Sequence, residues 1–597
     1  MTDPTPSTPR RRIGVYVCHC GGNISDVVDV EAVAKQVGAE EDVVVSRTHP
    51  FMCSEAGQAP IAEDIKAQGL DRVVVASCSP ALHETTFRRA TARGGLNPYL
   101  YEHANIREQV SWSTVHGPGA TTKAATLVSA AVAKARLLDP LTAVKITARQ
   151  RVLVVGAGVA GLRAALDLAE LGLEVFIVEQ AEEPGGFLRH LDRLYPDGRD
   201  AREVLATLLA RVQASPRITL LTRTTVVGSR GSVGAFDVTV QGADPAQPTQ
   251  ELAVGAVVLA TGFRPYTPVK GEHGYQKLKT VVTLPEFIAL LGRASQGPLE
   301  VEGRPVRSVG FLHCVGSRQA EGVHKPAPGR ALQTHCSRVC CTSILHTELE
   351  LLRRWPTTRV HSLYQDIRAY GRGQEEIYAE ALRAGVVFHR WRDTPPDVAR
   401  APAGSDAALR VRLTDQLSAG EELELDLDLL VLGTGMMAGD TAGLVEVFKV
   451  ACSEDGFLQE VHPKLRPVEP AVAGIFLAGA SQSPKDVGEA CASASAAAVK
   501  AVALLARGEV ELAPFVARVD VTRCSGTGTC VTACGYEGAV QLVPGPEGMR
   551  AEINPALCVG CGACVAVCPS RAIEVAGWTL DQFDAMVDAI VAPAEVS

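Results

Sequence analysis

No stretch of this 597-residue chain approaches the roughly 20 consecutive apolar residues that a bilayer-spanning helix needs. Its first residues, MTDPTPSTPRRR, lack the apolar core of a secretory leader and read as a disordered tail over residues 1–12. Both absences give the expectation of a cytoplasmic protein without a membrane span. There is no excess of base either. Lys and Arg number 58 against 67 Asp and Glu, the net charge is -9 at pH 7, and the arginines are scattered. Nucleic acid calls for a concentrated basic patch and is not an expected partner. Low-complexity tracts are also absent. What the chain has is cysteine, seventeen in all, grouped at short spacings. Such grouping in a long chain fits metal ligation in a reducing compartment better than a disulfide framework. The length suggests about three to five domains, and the 46% hydrophobic content permits a core in each.

Seven cysteines close the chain: Cys524, Cys530, Cys534, Cys558, Cys561, Cys564 and Cys568, followed by Pro569. This is the spacing of a two-cluster bacterial ferredoxin with one ligand missing, because Thr527 stands where the first run should have its second cysteine. In such ferredoxins the fourth cysteine of each run ligates the other cluster. Cys534, Cys558, Cys561 and Cys564 are then expected to hold one complete 4Fe-4S cluster. Cys524, Cys530 and Cys568 are left for a three-thiolate site. That site suits 3Fe-4S, or 4Fe-4S with water or the Thr527 hydroxyl on the fourth iron.

From Arg151, RVLVVGAGVAGLRAALDLAELGLEVFIVEQ reads as strand, Gly-rich turn, helix and strand, a βαβ unit. Gly156, Gly158 and Gly161 form G-x-G-x-x-G after the first strand, and Glu179 ends the second, eighteen residues after Gly161. The glycines let the backbone approach a pyrophosphate at a helix N-terminus, while the carboxylate accepts ribose hydroxyls. The ligand is FAD or NAD. A 2'-phosphate would face the charge of Glu179, which argues against NADP.

A second nucleotide fingerprint is lacking. The later strand SVGFLHC runs instead into Cys314, with Cys336, Cys340 and Cys341 following, enough thiolates for one 4Fe-4S cluster or, as the alternative, zinc. Near the N-terminus, Cys18, Cys20, Cys53 and Cys78 fall at or after the ends of short β-rich runs. A parallel sheet would gather such positions at one edge. The Ala-rich ATTKAATLVSAAVAKARLLDPL reads as a helix closing this first domain. Cys452 and Cys491 stand alone and are expected to pack as small buried hydrophobes.

VEQAEEPGG, LATGFRP and GIFLAGASQSPKDVGEA resemble the FAD domain of two-dinucleotide-fold flavoproteins such as thioredoxin reductase. This resemblance implies that FAD contacts Gly186, Thr261 and Gly262, that the strand ending at Gly479 and Ala480 brings a helix N-terminus to the isoalloxazine, and that Lys485 and Asp486 lie near the flavin. Lys485 is then the expected catalytic cation, stabilising reduced flavin.

YVCHCGGNI, FMCSEAGQ, ASCSPALHE, NPYLYEHANIREQVSW, HCVGSR with HCSRVCC, and SPKDVGEA, together with the tail, resemble the A subunit of heterodisulfide reductase over nearly the whole chain. The fold this implies is α/β: a thioredoxin reductase-like core, an N-terminal α/β domain and a C-terminal α+β two-cluster ferredoxin-like domain. The expected boundaries are 1–145, 146–300 (first part of the FAD domain), 301–435 (nucleotide-domain-like insertion), 436–510 (second part of the FAD domain) and 515–597. The implied function is an FAD and iron-sulfur oxidoreductase subunit with about three complete 4Fe-4S sites beside the three-cysteine site. It would pass electrons to other subunits of a heterodisulfide reductase-like complex, to ferredoxin, or to and from a hydrogenase or formate-dehydrogenase delivery subunit, and would work as a homodimer within the complex. Family members that bifurcate need separate cluster paths from one flavin. Here residues 180–310 contain no cysteine, unlike members with an inserted ferredoxin module, and Thr527 alters a second station, so bifurcation, confurcation and plain relay stay open. The rival readings are a self-sufficient NAD(P)H-dependent oxidoreductase of the glutamate synthase small-subunit type, which would want the absent fingerprint, and a zinc-binding scaffold.

Overall fold

The computed structural model describes residues 10–194, 198–244, 246, 248–294, 297–324, 331–546 and 548–591. Of the expected N-terminal tail, residues 1–9 lie outside the described residues. Arg12, by contrast, is anchored, its amide donating to Asp71 Oδ1 at 2.9 Å. The chain divides into two compact units, residues 1–146 with 511–597, and residues 147–510.

The first unit begins as a parallel α/β sheet. Its elements are β1 (Ile13–Cys18), α1 (Val30–Gly38), β2 (Val43–His49), α2 (Glu55–Ala67), β3 (Arg72–Ser77), α3 (Pro80–Arg93), β4 (Tyr101–Asn105) and α4 (Pro118–Arg136). The strand order is β2-β1-β3-β4, all parallel. Every residue of β1 and β3 is buried, as near-continuous apolar runs covered on both faces require. Ser54 and Ser79 cap α2 and α3. Each serine directly follows a cysteine, so Cys53 and Cys78 are held at strand-to-helix corners, immediately before a cap.

The same unit carries the tail. The strand Ala517–Val519 pairs antiparallel with Ile573–Val575, a hairpin runs from Val540–Gly545 to Gly548–Ile553, and the last helix, Leu580–Val591, packs on α4. Gln582 Nε2 donates to Leu137 O at 2.9 Å, and the Arg88 guanidinium lies 4.8 Å from the Phe515 ring. At the centre of this join, Lys134 pairs with Glu102 at 2.8 Å under the ring of Trp578. Lys134 is 1% exposed. Burial holds the Glu102 carboxyl above its ordinary range and the Lys134 ammonium below its own, so each charge depends on the other.

The second unit is built twice over. A parallel sheet orders Ile475–Leu477, Ala256–Leu259, Arg151–Val155, Glu174–Val178 and Ile218–Leu221, with the antiparallel strands Thr224–Ser232, Ala235–Gly242 and Gln250–Val254 as its accessory layer. A second parallel sheet orders Val281–Thr283, Leu429–Thr434, Ser308–Val315, Arg359–Tyr364 and Val387–Arg390, again with three antiparallel strands, Asp397–Arg400, Leu409–Asp415 and Glu421–Leu427. The repeat of sheet plus accessory layer is the two-dinucleotide-binding fold.

Two expectations change. The helix Val487–Leu505 is, among the described residues, long and apolar enough by length and composition to cross a bilayer, so a near-spanning stretch does exist. Its alanines Ala490, Ala494, Ala497, Ala498 and Ala501 are buried as it packs on the helix Val159–Glu170, which makes it a core helix of this unit. Cys452 is exposed rather than buried, and Cys491 is only half-buried.

Removing the Lys134 cation leaves Glu102 charged and buried, which costs about 3–5 kcal/mol where a buried pair is broken from one side. Lys134→Met should therefore lower the urea midpoint of the full chain clearly. Lys134→Met/Glu102→Leu should recover most of that loss.

Candidate functional site

The strand Arg151–Val155 delivers the chain to Gly156, whose φ of +103° only glycine adopts without strain. A Cβ on Gly161 would come 1.9 Å from Gly156 O, so glycine there lets the helix start against the strand. The carboxylate of Glu179 accepts from Ala157 N at 2.7 Å and from Ala181 N at 2.8 Å, which ties the fingerprint turn to the end of the second strand. A cleft of about 860 Å³ opens above this turn. Gly156, Gly158, Glu179, Gly186, Thr261, Gly262, Ala480, Lys485 and Asp486 all line it, while Gly161 and Gly479 stand behind the lining.

This cleft fits a flavin dinucleotide on three observations. Thr261 Oγ1 is buried there without a hydrogen-bond partner. A Cβ on Gly186 would sit 3.0 Å from the Gly158 Cα, so the floor is bare backbone. Asp486 caps the helix Val487–Leu505 in a reciprocal box with Glu489, aiming that helix N-terminus at the cleft. Lys485 Nζ lies 3.0 Å from Ser483 Oγ, and burial pulls the ammonium below its ordinary value. Phe187 and Phe263, with ring centres 5.0 Å apart, also face the cleft, and sequence reasoning passed over both.

Where the second sheet would bind a nucleotide, its strand Ser308–Val315 ends in Cys314, with φ +61°, and a Cβ on the following Gly316 would strike the Tyr266 ring at 2.0 Å. Cys314, Cys340 and Cys341 converge here. The buried Cys340 thiol donates to both neighbours and is held well above its ordinary value. The Cys340 hydrogen bond brings Cys314 down to about 7, and with help from His313 it brings Cys341 down to about 4. Two of the thiols are thus biased toward the deprotonated form that ligation requires. Cys336 lies on the same loop, its Sγ accepting from Arg338 N at 3.3 Å. The buried Ser317 Oγ and Arg318 Nη1 lack partners, as polar atoms facing an iron-sulfur group would. Cys340 also lines the flavin-type cleft. Arg338 straps the two features together: Nη1 donates to Pro484 O at 3.1 Å, Nη2 pairs with Glu489 at 2.6 Å, and Nε donates to Tyr370 at 2.6 Å.

In the first unit, the corners after β1, β2 and β3 carry Cys18 and Cys20, Cys53, and Cys78 respectively. Cys18 Sγ accepts from Cys20 N at 3.3 Å and from Met52 N at 3.4 Å. Cys20 is brought down to about 6, first by a hydrogen bond from Cys78 and then by Arg107, whose Nη1 donates to its sulfur at 3.4 Å. Burial pushes Cys18 up to about 11 and also raises Cys53.

The two tail runs match in backbone form. Gly526 and Gly560 have φ +67° and +68°, and a Cβ on either would meet a carbonyl oxygen, Met549 O at 2.2 Å or Phe515 O at 2.1 Å. Gly528 and Gly562 then start the helices Thr529–Ala533 and Ala563–Ala566. Thr527 therefore occupies the place that Cys561 holds in the other run. It is exposed, with its hydroxyl 3.3 Å from that of Thr529. Cys530 lies beside Cys524 and Cys568, and Cys564 beside Cys558 and Cys561. Among the described residues no three His, Cys, Asp or Glu side chains converge closely enough for one metal ion. Thiolates round a cube of four irons stand farther apart than thiolates round one ion.

Residues 150–292 match the family described as pyridine nucleotide-disulphide oxidoreductase, and residues 510–572 match the 4Fe-4S dicluster domain. One iron-sulfur A subunit of the CoB--CoM heterodisulfide reductase of Methanopyrus kandleri, the second of two in that organism, is 37% identical over 613 residues, covering 89% of this chain and 91% of that protein. The A subunit of the H(2):CoB-CoM heterodisulfide,ferredoxin reductase of Methanothermobacter thermautotrophicus is 37% identical over 628 residues, 91% of this chain and 92% of its own. Among solved structures, the thioredoxin reductase of T. acidophilum aligns with 59% of this chain and 98% of its own at 16% identity, with a TM-score of 0.38.

The glycine contacts give a direct test. Gly161→Ala pushes a methyl group into Gly156 O and should abolish tight flavin binding. Visible absorbance of the purified protein should lose the flavin bands while the tail's iron content stays at the wild-type level.

Proposed function

The chain belongs to the family of heterodisulfide reductase A subunits, and from that premise we propose that it joins a two-electron flavin site to one-electron iron-sulfur sites for partner proteins. It is an electron-transfer oxidoreductase subunit with a flavin-type redox domain and a 4Fe-4S domain. The observation that carries the finer reading is the position of Cys340. It stands in the wall of the cleft formed by Gly156, Gly158, Glu179, Thr261 and Gly262, at the start of the helix Cys340–Arg354.

FAD in the cleft would supply a centre able to take two electrons and release them singly. Gly156, Gly158, Gly161 and Gly186 present bare backbone to its pyrophosphate, Glu179 receives the ribose, and Thr261 Oγ1 gains the partner it lacks. Lys485, Asp486 and the helix start beyond Ala480 place positive potential where the flavin ring accumulates negative charge. Cys314, Cys336, Cys340 and Cys341 hold the first 4Fe-4S station. Cys18, Cys20, Cys53 and Cys78 hold a second, and Cys534, Cys558, Cys561 and Cys564 a third. Cys524, Cys530 and Cys568 form a site with three thiolates, suited to 3Fe-4S. The partners are other subunits of a heterodisulfide reductase-like complex. Ferredoxin, or a delivery subunit of hydrogenase or formate dehydrogenase, serves as donor or acceptor, and the chain works there as a homodimer. The name of the Methanothermobacter relative, which couples heterodisulfide and ferredoxin, supports an arrangement in which electrons from one flavin divide or combine.

NADH alone should leave the flavin of the isolated chain oxidised under anaerobic conditions. Rapid bleaching would favour the self-sufficient NAD(P)H oxidoreductase instead. Low-temperature EPR of the oxidised protein should show a three-iron signal that disappears in Cys530→Ser. Thr527→Cys should remove it too, by completing the ligand set. Four fully ligated cubes in the wild type would contradict the three-thiolate assignment.

A further inference from the structure

Just past the end of β4, Arg107–Ser111 forms a single π-helical turn. Such turns are rare and frequent at functional sites. This one aims Arg107 at a sulfur: Nη1 donates to Cys20 Sγ at 3.4 Å. The guanidinium is fixed from two other sides, 4.3 Å from the Trp112 ring centre and 2.6 Å from Glu108 Oε1. Glu108 N donates to Asn105 Oδ1 at 3.1 Å, which ties the turn back to β4. The Arg107 side chain is 14% exposed.

The second unit repeats the device. Arg318, four residues after Cys314, has a left-handed φ of +52° and pairs with Asp366 at 2.6 Å. Its Nη1 stays buried beside Cys314 with no hydrogen-bond partner. In the tail the donors to sulfur are neutral. Ala551 N reaches Cys524 at 3.5 Å, Ala517 N reaches Cys558 at 3.4 Å, and Ala572 N reaches Cys568 at 3.2 Å.

We infer that Arg107 and Arg318 are positioning residues that set the redox order of the chain, holding the N-terminal site and the Cys314 site at higher potential than the tail sites. The inference rests on the reading that these cysteine sets ligate iron-sulfur clusters. Each site takes up one electron from its donor and gains one unit of negative charge. A guanidinium fixed at hydrogen-bond distance offsets that charge, and a charge-assisted N–H···S bond strengthens as the sulfur becomes more negative. Arg107 and Arg318 keep their protons in both states, so no proton moves with the electron. Backbone amides supply the same dipole without the net charge. Electrons entering through the tail then run downhill toward the other two sites.

The experiment is an EPR-monitored redox titration of the anaerobically purified full chain, with the N-terminal signal assigned by its loss in Cys20→Ser. Arg107→Gln should lower the midpoint of that signal by about 59 mV or more, a tenfold change in a one-electron equilibrium. The tail signals should not move. Arg107→Lys keeps the charge on a flexible stem and should restore part of the shift. Arg318→Gln provides an independent reading on the signal lost in Cys341→Ser. An unmoved potential in whichever Gln variant retains its iron overturns the inference while leaving the ligand reading intact. If Cys20→Ser removes neither iron nor a signal, the N-terminal ligand reading falls, and the role of Arg107 falls with it.

Discussion

A parallel sheet has one chemical edge, because every strand that points the same way ends on the same side. Both units of this protein depend on that constraint. In the first, β1, β2 and β3 end at Cys18, near Cys53 and at Cys78, three positions separated by dozens of residues in the chain and by a few ångströms in the fold. In the second, the sheet through Arg151–Val155 ends at the glycine turn, and the sheet through Ser308–Val315 ends at Cys314. What differs between the edges is the residue type placed there. Glycine exposes backbone for a phosphate; cysteine offers a thiolate.

The legible part of this architecture was whatever repeats at short range. The βαβ fingerprint, the tail spacing and the Cys340-Cys341 pair are local patterns, and each fell on the expected elements. The strands through Ile13, Val43, Arg72 and Ser308 were also plain, as apolar runs bounded by turn residues. What stayed hidden depended on tertiary contact. Arg107 and Arg338 look like ordinary surface arginines until a π turn or a left-handed backbone aims them. The one available signal was their closeness in sequence to cysteines or to the end of a strand. The helix Val487–Leu505 was missed as a near-spanning segment because alanine, glycine and serine dilute its apolar character, and alanine is what lets it sit so close to its neighbour.

Arg338 shows how a structural bond and a functional one become the same bond. Its backbone lies between two cysteines of one site, while its guanidinium grips Pro484 and Glu489, which flank Lys485 and Asp486. Glu489 meanwhile caps its own helix. A shift of the cysteine loop would therefore pull on the helix start that faces the cleft, so the two sites share one rigid frame. Rigid placement of this kind keeps the distance between redox groups constant.

The join at Lys134 has a consequence for how the protein is made. Lys134 and Glu102 lie early in the chain, and the Trp578 ring that covers Lys134 comes 444 residues later. At synthesis rates of about 5–20 residues per second, that interval is roughly 20–90 s. Throughout it the first α/β domain must remain on the ribosome with its cysteine corners formed and α4 uncovered, while the whole second unit folds as an insertion. The chain thus has a built-in period when its N-terminal thiols are gathered but its last helix has not yet sealed the join, and that is a natural time for a cell to load them.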